Sequence, residues 1–309
     1  MGIRICRCRN VTLSGYTFER SANWSHQMDS CENLLAQDVT VLGGHDGFNI
    51  HHCTNVSIKN CTLKTGDDCV AGFDAQNVTV EECLLNTACN AIRLGCINLL
   101  VKDCRFVGPG EYPHILDGKY HMHAAIKYYS PVGDVYRGDA CGWRFEDCTF
   151  ENPGRMFNYD FGSERGYMTE RPLVDVHLVR CKVTGASMTS FFAGDAEVPG
   201  LLELKQCTIE YVPDPQTQAS RLCSLARIQS LRATAWTIRA PLASLWRVPC
   251  GRGVRGRCRG TQENELDGAW AHAKQGRFRT LPIWLPRSAQ AARESARGAR
   301  AACGRERQY

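Results

Sequence analysis

The sequence predicts an all-β protein built as a parallel β-helix, a solenoid in which each coil pairs with the next. A pattern of an Asn followed by alternating apolar and polar residues recurs five times, and the Asn residues are 21 to 23 positions apart: Asn10, Asn33, Asn55, Asn77 and Asn98. Each unit holds only short β-branched runs with a period of two, broken by Gly, Asn and Asp, which excludes a helical repeat. About 22 residues therefore form one coil.

Residues one repeat apart are expected to stack into columns, because each coil hydrogen-bonds to the next at about 4.8 Å. One such column contains cysteines: Cys61, Cys83, Cys104, Cys148, Cys181 and Cys207. We interpret them as small buried hydrophobic residues. No C-x-x-C pair occurs, so the sequence predicts no metal site. The many unpaired thiols are typical of a reducing compartment.

The carboxylate pair in "LKTGDDCVAG" is the main candidate for chemistry. Twenty-two residues separate Asp68 from Asp46 on one side and from Asn90 on the other, so these three should form one column, with Asp67 beside it. Gly66 should permit a bulge that turns both carboxylates outward. Three carboxyl groups this close cannot all ionise, so at least one should hold a proton near neutral pH and the site could supply both acid and base. The alternative is a pair of solvated turn residues.

At these residues the chain resembles glycoside hydrolase family 28, the polygalacturonase-like enzymes. "GHDG" and "GDDCVAG" are similar to the first two family motifs, and the similarity is strong over about residues 6–106. The resemblance implies a right-handed parallel β-helix. It also implies that Asp67 protonates the glycosidic oxygen, that Asp46 and Asp68 activate the attacking water, and that the anomeric carbon is inverted.

Two departures from the family pattern concern the substrate-binding residues. Asn90 replaces the His of the family's G-H-G motif, and the R-I-K motif becomes Ala125-Ile126-Lys127, which keeps the Lys and loses the Arg. A uronate polymer needs cations, and the candidates are Lys64, Arg93 and Lys127. Arg93 either takes the place of the missing Arg or is an ordinary solvated charge.

Residues 107–141 form an insertion that is rich in Tyr and His. Aromatic and imidazole side chains around a groove suit sugar binding, so we expect them to line the site. The alternative is that these rings only cover the side of the solenoid. The candidates are Tyr112, His114, Tyr120, His121, His123 and Tyr128.

The chain divides into two parts of opposite charge. Residues 1–220 carry 19 Lys and Arg against 27 Asp and Glu, whereas residues 221–309 carry 18 against 5. We assign residues 1–212 to the β-helix, which lacks its N-terminal cap because Met1 falls almost inside a coil. The Arg/Ala-rich residues 213–309 are interpreted as a disordered or frame-shifted tail, with a basic nucleic-acid arm as the alternative. The chain would then be a truncated family member.

We therefore expect a hydrolase that cleaves a pectin-like, galacturonate-containing polysaccharide without a cofactor. Two alternatives stay open, a catalytically impaired β-helix that binds glycans and a β-helix polysaccharide lyase or epimerase. The expected partner is a polysaccharide or oligosaccharide, with neither membrane nor nucleic acid, and the chain is expected to be a monomer. As written it lacks a signal peptide, which predicts a cytoplasmic location, or secretion if the true N-terminus is missing.

Overall fold

The chain folds into stacked coils of parallel β-strands. The computed structural model describes residues 2–162, 170–212, 223–226, 228–235 and 237–239. Within these ranges it contains 25 strands and no α-helix. The strands pair in parallel and form three columns along the solenoid. None of the described segments is a helix that could cross a membrane.

Each coil contributes one strand, or one part of a longer strand, to each column. The first column contains β1 (Ile3–Cys6), β4 (His26–Asp29), β7 (Phe48–His51), the first part of β10 (Val70–Glu81), the first part of β12 (Asn90–Lys102), β14 (Ala124–Tyr128), β17 (Arg155–Asp160), β20 (Ser190–Ala193) and β23 (Cys223–Ala226). The second column contains β2 (Arg9–Ser14), β5 (Glu32–Gln37), β8 (Thr54–Lys59), the second parts of β10 and β12, β15 (Cys141–Glu146), β18 (Asp175–Val179), β21 (Gly200–Lys205) and β24 (Ile228–Thr234). The third column contains β3 (Thr17–Glu19), β6 (Thr40–Leu42), β9 (Thr62–Thr65), β11 (Leu84–Thr87), β13 (Arg105–Val107), β16 (Thr149–Glu151), β19 (Lys182–Ala186), β22 (Thr208–Tyr211) and β25 (Thr237–Arg239).

The strand register confirms the predicted parallel β-helix with about 22 residues per coil. Phe48 pairs with Val70, and Val70 pairs with Ile92, so the Cα partners lie 22 residues apart. Parallel strands joined by crossovers are right-handed in almost all proteins, and this solenoid is a right-handed parallel β-helix. Later coils are longer because insertions separate their strands, as between Leu99 and its partner Trp143.

The predicted columns of identical side chains are present. The Asn column is exposed, and each Nδ2 donates to Oδ1 of the Asn one coil earlier over 2.9 to 3.0 Å. Its members have φ between 53° and 60°, a left-handed turn conformation that Asn tolerates well. The Cys column is buried, and Sγ of Cys104 accepts a hydrogen bond from the backbone N–H of Cys83 over 3.4 Å. The interior is otherwise filled by aliphatic and aromatic side chains such as the fully buried Trp143.

The paired strands continue past Val212, where the sequence predicts the end of the solenoid. β23, β24 and β25 pair in parallel with β20, β21 and β22, so one more coil follows among the described residues. Cys223 and Leu225 are buried in it. The sequence hides this coil because "RATAWTIRA" lacks the Cys that precedes the third-column strand in earlier coils, as Cys207 does. The other residues of the predicted tail lie outside the described ranges.

Two insertions fold back along the first column. The first insertion, residues 108–123, follows β13, and the backbone N–H of Glu111 donates to Oδ1 of Asn86 over 2.7 Å. Further on, the Tyr112 ring packs against Gly43, where a Cβ atom would lie 3.0 Å from the ring. The first insertion therefore reaches back over the turns of earlier coils.

The second insertion, residues 129–140, follows β14 and is anchored by Arg137. The Arg137 Nε donates to Oδ2 of the buried Asp74 over 3.0 Å, and its Nη1 donates to Oγ1 of Thr54 over 2.6 Å. Nδ1 of His52 also contacts the Asp74 carboxylate at 3.0 Å. The two insertions are thus fixed to earlier coils by hydrogen bonds and ion pairs as well as by packing.

Candidate active site

Three carboxyl groups meet at the turns that lead into the first column. Asp46 precedes β7, and Asp67 and Asp68 lie in the turn between β9 and β10. One oxygen atom of each carboxyl group lies within 4.8 Å of the other two. Asp46 and Asp68 are only 3% and 2% exposed, whereas Asp67 is half-buried. The structure therefore brings together Asp46 and Asp68, which the coil register aligned, with Asp67 beside them as expected.

Gly66 makes this turn possible through close backbone approach. A Cβ atom there would lie 2.6 Å from the carbonyl oxygens of Gly44 and Pro113, so no larger residue fits without a shift of the backbone. The backbone N–H of Gly66 donates to the Gly44 carbonyl over 3.1 Å. The carbonyl of Asp67 accepts a 2.6 Å hydrogen bond from the Thr65 hydroxyl. The carboxylates are thus presented by a rigid turn.

Asp68 is surrounded by hydrogen-bond donors. Its Oδ1 accepts from Nδ2 of Asn90 over 2.7 Å and from the Asn90 backbone over 3.2 Å. Nη1 of Arg93 lies 3.5 Å from Oδ2, and the Arg93 guanidinium stacks 3.4 Å above the Tyr129 ring. Burial raises the pKa of Asp68, and the positive charge of Arg93 opposes this rise. Compared with Asp46, whose pKa is raised by burial and by the neighbouring carboxylates, Asp68 therefore has more groups around it that stabilise a carboxylate.

The surroundings of Asp46 favour its protonated form. Its Oδ2 accepts a hydrogen bond from Nδ2 of Asn49 over 2.5 Å. Burial raises the pKa of Asp46 well above its usual value, and the charges of Asp68 and Asp67 raise it further. The expected proton near neutral pH is thus favoured on Asp46, whereas the family resemblance assigns the acid role to Asp67.

A group of positively charged side chains lies on the C-terminal side of the carboxylates. Arg93 and Lys127 are register partners on adjacent coils. Burial, together with the charge of Arg93, lowers the pKa of Lys127. One coil further, Nη1 of Arg155 contacts Nε2 of His123 at 2.8 Å. Burial and the charge of Arg155 lower the pKa of His123 to about 4, so His123 is neutral at physiological pH.

Aromatic side chains line the first column beside these charges. The rings of His51 and Phe73 face each other with centroids 4.4 Å apart, and Trp24 meets His51 edge-on at 5.6 Å. Tyr129 lies 6.2 Å from Phe73. Aromatic faces next to hydrogen-bonding groups are typical of sugar-binding grooves. The sequence interpretation missed this row and Asn49, although Asn49 stands 44 residues before Arg93 and thus two coils away in the same row.

The remaining predicted site residues have different positions. Lys64 forms a 2.6 Å ion pair with Glu111 and so links the third column to the first insertion. His121 is exposed, and His114 is half-buried. Among the wider candidates, Tyr120 is 51% exposed.

The prediction for Tyr128 is wrong because side chains alternate along β14. Lys127 points outward, so its neighbour Tyr128 points inward and is 2% exposed. The Tyr128 hydroxyl donates to the Arg171 carbonyl over 2.6 Å. Tyr129, one residue later, is the tyrosine that faces the site.

Asp67 also belongs to a second group of side chains that could bind a metal ion. One side-chain donor atom each of Asp67, Cys89 and His114 lies within 4.8 Å of the other two. Cys89 and His114 come from the turn before β12 and from the first insertion. The sequence interpretation singled out His114 as a wall residue and overlooked Cys89, which directly precedes Asn90 in the aligned column.

A known protein family matches the first part of the chain. Residues 2–90 match the family model for glycosyl hydrolases family 28. The search of curated proteins gives no match. The matched segment contains all three carboxylates and ends at Asn90, so it includes the aligned column and excludes Arg93 and Lys127.

Solved structures share the β-helix at low sequence identity. The surface protein and adhesin PfbA of Streptococcus pneumoniae matches with a TM-score of 0.53 and 12% identity, over 79% of this chain and 67% of that protein. The endo-xylogalacturonan hydrolase from Aspergillus tubingensis matches with a TM-score of 0.48 and 17% identity, over 82% and 68%. The polygalacturonase from Erwinia carotovora ssp. carotovora matches with a TM-score of 0.41 and 8% identity, over 75% and 60%. At 12% identity the match to PfbA shows the fold alone, so the function has to be argued from the site.

Proposed function

We propose that this chain, whose residues 2–90 carry the signature of glycosyl hydrolase family 28, hydrolyses glycosidic bonds of a pectin-like polysaccharide that contains uronic acids. The observation that carries the proposal is the contact between Asp68 and Arg93, in a cluster where the oxygens of Asp46, Asp67 and Asp68 lie within 4.8 Å of one another. Carboxyl groups in unequal surroundings can supply an acid and a base, and adjacent cations can bind an acidic sugar.

In the proposed mechanism Asp67 is the general acid and Asp68 is the general base. The proton that is favoured on Asp46 in the free site has to move to Asp67, the most accessible of the three carboxyl groups, which gives it to the glycosidic oxygen as the bond to the anomeric carbon breaks. Water attacks that carbon and gives its proton to Asp68, whose carboxylate form Arg93 and Asn90 stabilise. Asp46 holds the water. A water bonded to two oxygens at about 2.8 Å spans roughly 4.5–5 Å between them, which suits this cluster.

We propose inversion at the anomeric carbon, as the family resemblance implies. Carboxyl groups of inverting enzymes are usually about 6.5–9.5 Å apart, and those of retaining enzymes about 5–5.5 Å apart. The oxygens here are within 4.8 Å of one another, so the spacing by itself favours a retaining enzyme. Proton NMR of the first product formed distinguishes the outcomes. The anomer opposite to that of the substrate supports inversion, and the same anomer would require a nucleophilic carboxylate.

In the proposed complex, a uronic acid unit of the substrate lies against the coils that follow the three carboxylates. Arg93 and Lys127 lie in register there and are suited to bind a sugar carboxylate. The buried Oδ1 atoms of Asn49 and Asn90 have no hydrogen-bond partner among the described residues, so they can accept hydrogen bonds from sugar hydroxyls. The half-buried rings of Trp24 and His51 are the aromatic groups here that can stack against a sugar.

Glycan binding without turnover is the second candidate. Asn90 favours it, because this side chain stands where the family has a His and cannot exchange a proton. If Asn90 cannot replace that His in the reaction, the groove would bind sugar without cutting it. Turnover measurements separate this candidate from hydrolysis.

Reducing-end assays on polygalacturonate, its methyl ester, xylogalacturonan and a neutral glucan test the proposal. We expect activity on at least one uronate-containing substrate and a loss of at least about 100-fold in Asp67→Asn. Asp103→Asn is the matched control, because Asp103 is an exposed turn residue outside the site. Equal activity of Asp67→Asn and wild type would refute the acid assignment, and products with ultraviolet absorbance would indicate elimination. Binding of polygalacturonate without any release of reducing ends would support the second candidate.

A further inference from the structure

The cluster of Asp67, Cys89 and His114 has a composition that hydrolysis does not need. We propose that it is a binding site for one thiophilic divalent cation of the Zn²⁺ class, held by the Asp67 carboxylate, the Cys89 thiolate and the His114 imidazole. Their donor atoms lie within 4.8 Å of one another. A bound water would complete the tetrahedral coordination that Zn²⁺ prefers.

The three ligands come from segments that are fixed independently. Asp67 lies in the turn before β10, and its Oδ1 accepts a 3.0 Å hydrogen bond from the Asp68 backbone, which leaves the other oxygen for a cation. Cys89 lies in the turn before β12, where its backbone N–H donates to the Thr87 hydroxyl over 2.8 Å. His114 belongs to the first insertion. The site thus exists only because the insertion folds back onto these two turns.

The orientation of His114 suits a metal ligand. Its Nδ1 lies 2.9 Å from Oδ1 of Asp117, and Asp117 is itself held by the backbone N–H and the Nζ of Lys119 over 3.1 and 3.2 Å. A carboxylate on one ring nitrogen fixes the tautomer and leaves the lone pair of the other nitrogen for a metal. Nε2 of His114 is therefore the expected ligand atom.

Cys89 differs from the thiols of the buried Cys column. It is half-buried, whereas the column residues Cys83 and Cys104 are fully buried. Its Sγ accepts a 3.2 Å hydrogen bond from Nδ2 of Asn90, so the sulfur is already in contact with the site. Burial and the charges of Asp68 and Asp67 raise the pKa of the Cys89 thiol in the metal-free protein, so the cation has to displace the thiol proton when it binds. A sulfur beside an imidazole and a carboxylate is a combination that selects Zn²⁺ over Ca²⁺ or Mg²⁺.

The geometry requires only a small contraction to hold an ion. Bonds of about 2.0–2.3 Å to Zn²⁺ place tetrahedral ligand atoms roughly 3.3–3.8 Å apart. The donor atoms here are at most 4.8 Å apart, so side-chain movements of about 1 Å bring them to the distances that a bound Zn²⁺ requires. A bound cation would occupy the Asp67 carboxylate and prevent it from carrying the proton. Reversible inhibition of hydrolysis is the consequence, and this consequence alone rests on the proposed function.

Cobalt titration of the full chain tests the site without any activity measurement. Co²⁺ bound by a thiolate gives a charge-transfer band in the near ultraviolet, and Zn²⁺ should displace it. We expect Cys89→Ser to lose this band and His114→Gln to weaken Zn²⁺ binding by at least about tenfold. Cys141→Ser is the matched control, because Cys141 is also half-buried and belongs to β15 in the second column. The exposed thiols of Cys6 and Cys8 give a background common to all variants.

The outcomes separate this site from the proposed function. A cobalt band and a Zn²⁺ affinity that are the same in wild type, Cys89→Ser and His114→Gln would overturn the proposal. Circular dichroism checks that each variant keeps its β-structure, and the exposed insertion makes His114→Gln the variant that perturbs folding least. If hydrolysis is detected, Zn²⁺ should inhibit wild type and Cys141→Ser but not Cys89→Ser. If no hydrolysis is detected, the cobalt titration still decides whether the cation site exists.

Discussion

Nδ2 of Asn90 donates a 2.7 Å hydrogen bond to Oδ1 of Asp68, one coil earlier in the solenoid. The amide gives Asp68 a donor whose charge does not change with pH. With Arg93 on the other oxygen, the carboxylate form of Asp68 is stabilised from two sides. The proposed base therefore depends on two neighbours that do not titrate in the physiological range.

Removing the Asn90 amide should weaken the proposed base. A hydrogen bond to a charged group contributes about 1.5–3 kcal/mol, so we expect Asn90→Ala to lower kcat by about tenfold or more. Steady-state kinetics on the best uronate substrate measures the change. Asn98→Ala is the matched control, because Asn98 belongs to the exposed Asn column and bonds to Asn77. An unchanged kcat in Asn90→Ala would contradict a role for this contact.

Removing the Arg93 charge should shift the pH dependence of hydrolysis. Burial raises the pKa of Asp68 and Arg93 lowers it, so Arg93→Gln should raise the pKa of this base further. The base must be ionised to accept a proton, so the acidic limb of kcat/KM should move to higher pH. A pH profile of wild type, Arg93→Gln and the exposed control Arg144→Gln measures the shift. A shift to lower pH, or no shift, would reject the assignment of Asp68 as the base.

Lys127 should contribute to binding of the acidic sugar more than to the chemical step. We expect Lys127→Met to raise KM for de-esterified polygalacturonate by about 10–100-fold, which corresponds to the loss of one charge-assisted hydrogen bond. The same change should have little effect on a methyl-esterified substrate, which carries no negative charge at that position. Lys182→Met provides an exposed control. Equal effects on both substrates would indicate a structural role for Lys127.

The buried Asp46 should make the protein less stable as the pH rises. Its folded-state pKa is well above the ordinary value of 3.8, so the folded state binds more protons than the unfolded state in the interval between these two values. The contribution of Asp46 is fully present below the unfolded value and is lost as the pH rises through the folded value. Asp46→Asn should therefore stabilise the fold at neutral pH, by about 1–2 kcal/mol, and not in acid.

Urea unfolding of wild type and Asp46→Asn at several pH values measures this effect. Asp103→Asn, which changes an exposed turn residue, controls for the loss of one negative charge. A difference between Asp46→Asn and wild type that grows towards acid pH would have the wrong sign for a raised pKa.

The sequence predicts the repeating part of the molecule and its aligned carboxylates well. The register follows from a single spacing, so Asp46, Asp68 and Asn90 could be assigned to one column by counting 22 residues. The Asn and Cys columns follow from the same spacing. Parallel pairing makes this possible, because identical positions of successive coils must lie one above the other.

The predictions fail or remain incomplete where the spacing is interrupted. The first insertion separates β13 from β14, so the contact of His114 with Asp67 and Cys89 has no counterpart in the repeat. At the end of β14 an error of one residue exchanged Tyr128 for Tyr129, because neighbouring side chains of a strand point to opposite faces. The last described coil was missed because the Cys of the Cys column is absent from it, although its strands still pair in register.

The coil register also limits which changes of length this molecule can accept. The proposed catalytic carboxyl groups come from two neighbouring coils, joined by hydrogen bonds such as that from the Gly47 backbone N–H to the Asp68 carbonyl over 2.9 Å. An extra coil of about 22 residues inserted between Asp46 and Asp68 would preserve every pairing rule of the solenoid and still move the two carboxylates apart by about 4.8 Å. The same duplication near either end would lengthen the protein and leave the distances among these residues unchanged.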